Sequence, residues 1–278
     1  MLTPTGELVE RARRAGVGVP AFNVITIEHA EAIVTGAEAA GLPVILQVSE
    51  NAVRFHHGRL APIAAATRAV ASAAAVDVAL HLDHVEDVHL VEQAAECGFD
   101  SVMVDHSRLP YQDNVAATTA AVARCHGQGL WVESELGEVG GKEGAHAPGV
   151  RTDPAEAARV VAATGVDALA VAVGSSHAMT DRTARLDHAL IAALRDAAPV
   201  PLVLHGSSGV PDDELRAAVA AGMVKINIGT ALNTAFTGAV RATLAAALDV
   251  VDPRKYLAPA RDAMAETVQT LTTLLARR

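Results

Sequence analysis

Three histidines carry the sequence's clearest invitation to chemistry. His84 closes the run HLDH at 81–84, His177 closes VGSSH at 173–177, and His205 follows the apolar run LVL at 202–204. Three neutral imidazoles brought together leave Zn²⁺ an open fourth position, the arrangement of a catalytic zinc. Any one of the 12 histidines taken singly is better explained as a strand-end group bonded to a backbone carbonyl. Three of them, each at the end of an apolar run, favour metal binding. Asp83 directly precedes His84. A carboxylate beside a metal can serve as general acid or base, and an ion-pair role is equally open to it on residue type alone.

Further carboxylates lie in VESELGEVGGKEG at 132–144. Glu133 and Glu135 share one strand face, because strand side chains alternate. An interior position for them would demand partners, since an unpaired buried carboxylate is costly. Glu143 sits in the glycine-rich stretch Gly137–Gly149, which reads as a loop. Two small-residue turns, HGSSG at 205–209 and NIGT at 227–230, offer backbone N–H groups and hydroxyls that a phosphate can approach closely, with two ordinary strand-to-helix turns as the alternative. Lys225 is a weaker phosphate candidate, because its strand position can turn it away from such a site.

These residues need a frame that gathers strand ends. Eight short apolar, β-branched runs read as strands: Val17–Val24, Val44–Val48, Val78–Asp83, Ser101–Asp105, Trp131–Leu136, Ala168–Val173, Leu202–His205 and Met223–Asn227. Several are apolar without alternation, as expected of strands covered on both faces. Helical signals fall between them. Thr26 caps a run that stops near Gly41, and Asp87 opens one that ends before Gly98. Asp153-Pro154 sets a cap and an N1 proline for a helix ending at Gly165, and Pro211 opens one ending at Gly222. A last helix spans Pro259 to Leu275. This alternation predicts a single-domain (β/α)₈ barrel, whose active sites lie at the C-terminal ends of its strands. An open doubly wound sheet is the alternative, but no glycine-rich dinucleotide turn follows the first strand.

The 278 residues suit one such barrel. The formal net charge of −10 and the lack of a basic run argue against nucleic acid. No uncharged apolar run approaches the ~20 residues that span a membrane. The N-terminal stretch lacks an apolar segment with a cleavage site, and the two cysteines form no CxxC pair. The expectation is a soluble, cytoplasmic protein.

Read together and in order, AFNV (21–24), QVSE (47–50), HLDH, VESELGEVGGKEG, VGSSH, LHGSSG (204–209) and KINIGT (225–230) resemble the class II fructose/tagatose-bisphosphate aldolases over nearly the whole chain. The tail DPRKYLAPAR (252–261) is similar to that family's too. The resemblance implies that His84, His177 and His205 hold a catalytic zinc, with Asp105 and Glu135 at a secondary metal position. It implies that Asp83 exchanges the proton of the ketose C4 hydroxyl, and that Glu143 is the loop acid serving the dihydroxyacetone-phosphate carbon. Asn23, Ser49, Ala178, Gly206, Ser207, Ser208, Asn227, Gly229 and Thr230 would bind substrate and its phosphate. A monovalent cation (Na⁺ or K⁺) near the phosphate and a homodimer or homotetramer are further implications.

The implied reaction is reversible cleavage of fructose or tagatose 1,6-bisphosphate to dihydroxyacetone phosphate and glyceraldehyde 3-phosphate. Arg54 and Arg261 are among the candidates for the second phosphate. Four positions depart from the family pattern. Ala178 stands where glycine is usual, so a positive φ there would be strained. Ser207 replaces a glycine, Lys142 precedes the loop acid in place of a carboxylate, and His106 replaces a smaller residue. Ala178 and Ser207 leave two alternatives open: an aldolase for another phosphorylated sugar, or a catalytically weak sugar-phosphate-binding homologue.

Overall fold

The computed structural model describes residues 1–136 and 150–277. Helix α1 (Thr5–Ala15) precedes strand β1 (Val19–Asn23). Then come α2 (Ile27–Ala40), β2 (Val44–Ser49), α3 (Glu50–Phe55), α4 (Leu60–Ala73), β3 (Val78–Val85), α5 (Val88–Ala94), β4 (Ser101–Val104), α6 (Tyr111–Gly127) and β5 (Trp131–Leu136). The second half runs α7 (Pro154–Thr164), β6 (Ala168–Val171), α8 (His188–Ala197), β7 (Leu202–Leu204), a 3₁₀ turn (Ser207–Gly209), α9 (Asp212–Ala221), β8 (Met223–Ile228), α10 (Thr230–Ala246) and α11 (Arg254–Leu275). Each strand pairs in parallel with the next, and β1 pairs with β8, so the sheet closes on itself as a (β/α)₈ barrel.

The expected boundary signals act as read. Asp153 accepts from the Glu156 N–H at 2.8 Å ahead of Pro154, and Gly165 ends α7 in the left-handed region. The Asp87 side chain caps α5 by accepting from the His89 N–H. The last helix begins at Arg254, so Pro259 lies inside it. Strand ends differ more. β6 stops at Val171 and β7 at Leu204, whereas the apolar runs suggested Val173 and His205.

Alternation decides what fills the barrel. In β5, Val132 and Leu136 join the main core between strands and helices, while Glu133 and Glu135 turn inward and are buried. The barrel floor is apolar: Val19, Ala21, Ile45 and Ala79 pack against Leu8 and Val9 of α1, which closes that end. Above the floor the interior becomes polar, with Gln47, His81, Glu133, His205 and Lys225 all buried. Among the described residues no helix is long and apolar enough to cross a membrane.

Candidate active site and metal centre

The three histidines arrive from three places on the C-terminal rim. His84 comes from the end of β3, where the register with β4 shifts and the residue adopts φ 49°. A non-glycine residue in that region is strained, and such strain is usually found where a side chain must be aimed. His177 lies in the segment after β6, and His205 follows β7 immediately. Their ring centroids are 5.3 Å (84–177), 4.6 Å (84–205) and 5.7 Å (177–205) apart. Glu135 joins them from β5, and one ligand atom from each of the four residues lies within 4.8 Å of every other. Imidazole nitrogens with a carboxylate oxygen form a donor set that suits Zn²⁺.

Among the described residues, carboxylates hold His84 and His205. His84 Nδ1 is 2.7 Å from Asp105 Oδ2, and Asp105 Oδ1 accepts from Ser107 Oγ at 2.6 Å. His205 has a carboxylate at each ring nitrogen: Glu135 Oε2 at 2.7 Å from Nδ1, and Glu133 Oε1 at 3.0 Å from Nε2. Burial by itself lowers the His205 pKa, but the two carboxylates outweigh it and raise it to about 9. A metal at His205 must therefore take the place of a ring proton.

Asp83 projects beside this group into a cradle of amides. Asn23 Nδ2 and Gln47 Nε2 approach its Oδ2 at 3.4 and 3.5 Å, and Asn227 Nδ2 approaches Oδ1 at 3.4 Å. Burial alone would raise its pKa. The charges of His84, Lys225, His81 and His205 oppose this and hold it below the ordinary aspartate value. Asp83 is thus an ionised carboxylate 2% exposed to solvent, beside the candidate metal ligands.

A cavity of about 610 Å³ opens over Asp83, His84 and His177. Of the remaining expected substrate residues, Asn23, Ser49, Ala178, Gly206, Ser208, Asn227, Gly229 and Thr230 line it. Gly206 has φ 66°, and a Cβ there would sit 2.5 Å from the Ser176 carbonyl carbon. Ser208 Oγ accepts from the Ala231 N–H at 3.1 Å, which ties the β7 turn to the N-terminus of α10. Ala178 has φ 59°, so the strain expected of alanine at that position is present. Ser207 behaves differently from its neighbours. It is buried, its hydroxyl donates to the Asn227 carbonyl, and it takes no positive φ.

Other candidates separate. Arg54 lines the cavity and is ion-paired with Glu50, while Arg261 pairs with Glu31 at 2.9 Å and is not part of the lining. Lys225 is fully buried and points into the barrel. His106 Nδ1 is 3.3 Å from Thr118 Oγ1, away from the cavity lining. Lys142 and the expected loop acid Glu143 lie outside the described residues. Residue patterns alone gave Gln47 no role, although it lies two positions before Ser49 on the same strand. Arg108 and Glu50 also line the cavity and were not anticipated.

The family description "Fructose-bisphosphate aldolase class-II" matches residues 3–277. Among solved structures, the chain is similar to the YdjI aldolase from Escherichia coli K12, with 30% identity, a TM-score of 0.87, and coverage of 99% of this chain and 97% of that one. It is also similar to a putative fructose-1,6-biphosphate aldolase from Coccidioides immitis, with 27% identity, a TM-score of 0.87, and coverage of 98% and 95%. The fructose-bisphosphate aldolase of Campylobacter jejuni shares the fold at 22% identity and a TM-score of 0.83, over 99% of this chain and 95% of that one.

Proposed function

Because the chain belongs to the class II fructose-bisphosphate aldolase family, we propose that it is a zinc-dependent aldolase that cleaves and forms fructose or tagatose 1,6-bisphosphate. The observation that carries this reading is the convergence of His84, His177, His205 and Glu135 beside an ionised, buried Asp83. His84, His177 and His205 would hold the zinc, with Asp105 and Glu135 available at a secondary position. When bound, the zinc supplies Lewis-acid stabilisation of the negative charge that bond cleavage leaves next to a carbonyl.

The chain's own residues do the rest. Asp83 takes the C4 hydroxyl proton as the C3–C4 bond breaks and returns it in the condensation direction. Its amide cradle keeps the carboxylate aimed at one point, so little reorganisation is needed at the moment of transfer. Glu143 would move the proton at the dihydroxyacetone-phosphate carbon. The turns at Gly206–Ser208 and Gly229–Thr230 would hold the phosphate, with a Na⁺ or K⁺ ion nearby, and so fix the reacting bond relative to Asp83. Asn23, Ser49, Asn227 and the Ala178 backbone would contact the sugar. A homodimer or homotetramer is the assembly that accompanies this reading, and molar mass in solution tests it.

A second reading keeps the chemistry and changes the sugar. Both arginines of the cavity lining stand beside carboxylates, Arg54 with Glu50 and Arg108 with Glu86 at 3.8 Å. That pairing reduces the positive field available to a second phosphate and favours a different phosphorylated ketose. Cleavage of the two epimeric bisphosphates, compared side by side with and without chelator, tests both readings. Zinc-dependent cleavage of either supports the first. Cleavage confined to another sugar phosphate sinks it in favour of the second. Normal zinc-dependent turnover that Asp83→Ala abolishes, with zinc still bound, eliminates a merely sugar-phosphate-binding role.

A further inference from the structure

Below the cavity lies a pair of opposite charges that the proposed reaction does not use. Lys225 Nζ is 2.8 Å from Glu133 Oε2, and both side chains are fully buried. A buried ion pair is a poor stabiliser, because desolvation cancels most of its attraction, and an apolar pair of similar volume usually serves packing as well. This pair, however, reaches further than packing requires. The second oxygen of Glu133 lies 3.0 Å from Nε2 of His205. Lys225 also donates to Oδ1 of Asn227 at 2.7 Å, and the Asn227 Nδ2 in turn faces Asp83. A carboxylate accepting from Nε2 keeps the hydrogen of a neutral His205 on that nitrogen. Nδ1 then remains as the donor atom, on the side of Glu135, the carboxylate that joins the three-histidine group.

We infer that the Glu133–Lys225 pair is a positioning device shared by the metal ligand and the substrate cradle. Glu133 fixes the ring orientation and tautomer of His205. Lys225 fixes Glu133 and, through its second contact, the amide of Asn227 beside Asp83. Neither residue lines the cavity, so both act through the groups they hold. The inference rests on the metal-dependent reading above.

Zinc affinity of the metal-depleted protein, measured by competition with a chromophoric chelator, tests it in the wild type, in Glu133→Gln, and in the double variant Glu133→Gln/Lys225→Met. Glutamine keeps the shape of Glu133 but not the charge that orients and polarises His205. It also leaves Lys225 a buried cation without its counter-charge, so the single variant should melt earlier. The double variant removes that cation and should recover the thermal midpoint. Its zinc affinity should nevertheless stay about 10–100-fold below the wild type, the usual cost of losing an outer-shell carboxylate. If the double variant regains both its midpoint and wild-type zinc affinity, the pair supports folding alone and the inference is overturned. Unchanged zinc affinity in a folded single variant overturns it as well. A wild-type protein that takes up no zinc sinks the metal reading itself, and this inference with it.

Discussion

Ala178 shows what one methyl group does at a site of this kind. With φ 59°, its Cβ occupies a region that costs an L-residue about 1–2 kcal/mol. Glycine would relieve that strain but give back part of it in chain entropy, about 0.5–1 kcal/mol. Ala178→Gly should therefore stabilise the fold by about 0.5–1 kcal/mol, read as a higher urea midpoint at unchanged slope. A lower midpoint would mean that the alanine methyl makes contacts that matter more than its strain. His81 gives a pH prediction. Burial, then the Lys225 charge, lowers its pKa to about 3, against about 6.5 in an unfolded chain. Between those values the unfolded state binds the extra proton, so this histidine's contribution to stability is lost as pH falls from 6.5 towards 3. The thermal midpoint of His81→Gln should depend less steeply on pH across that window than the wild type's, and equal slopes would contradict the assignment. At this scale the sequence displayed the three histidines and Asp83, because residue type and strand-end position mark them. It could not display the Glu133–Lys225–Asn227 contacts, because nothing local says which interior faces meet across a barrel.

Elements were easier to find than to end. All eight strands were legible as short apolar runs, and α7 was legible from its cap, proline and terminal glycine. Misread ends include β1, which starts at Val19 and not Val17, β3, which runs on to Val85, and β6, where the apolar run continues to Val173 after the backbone has left the ladder at Val171. Helix α1 has no side-chain cap, but its apolar stripe of Leu8, Val9 and Ala12 and its terminal Gly16 mark it, and it closes the barrel floor. The α2–α11 contact was invisible in sequence, because it depends on one glycine between distant segments. A Cβ on Gly36 would lie 2.4 Å from the Ala265 carbonyl oxygen and 2.7 Å from Val268 Cβ. Gly36→Ala should cost about 1–3 kcal/mol, the usual penalty of overpacking, and should speed hydrogen exchange in α11 more than in α7. Uniform exchange in the two helices would show that α11 does not depend on this approach.

At the scale of the whole molecule, a site drawing His84, His177 and His205 from distant segments exists only in the folded state. Zinc bound there should stabilise the fold in step with its concentration, by about 2.7 kcal/mol at a hundredfold excess over its dissociation constant. Chelator should lower the thermal midpoint and stop cleavage together, and zinc should restore both; a midpoint indifferent to zinc would place the metal elsewhere. The closure of β1 against β8 bears on something other than catalysis, namely how the polypeptide is made. Its first strand emerges from the ribosome with an open edge and waits for the last one, which begins only at Met223. Until then the nascent barrel presents unpaired backbone to its surroundings, and Asp83 lacks Asn227. Translation products that end early should accordingly be sticky as well as inactive.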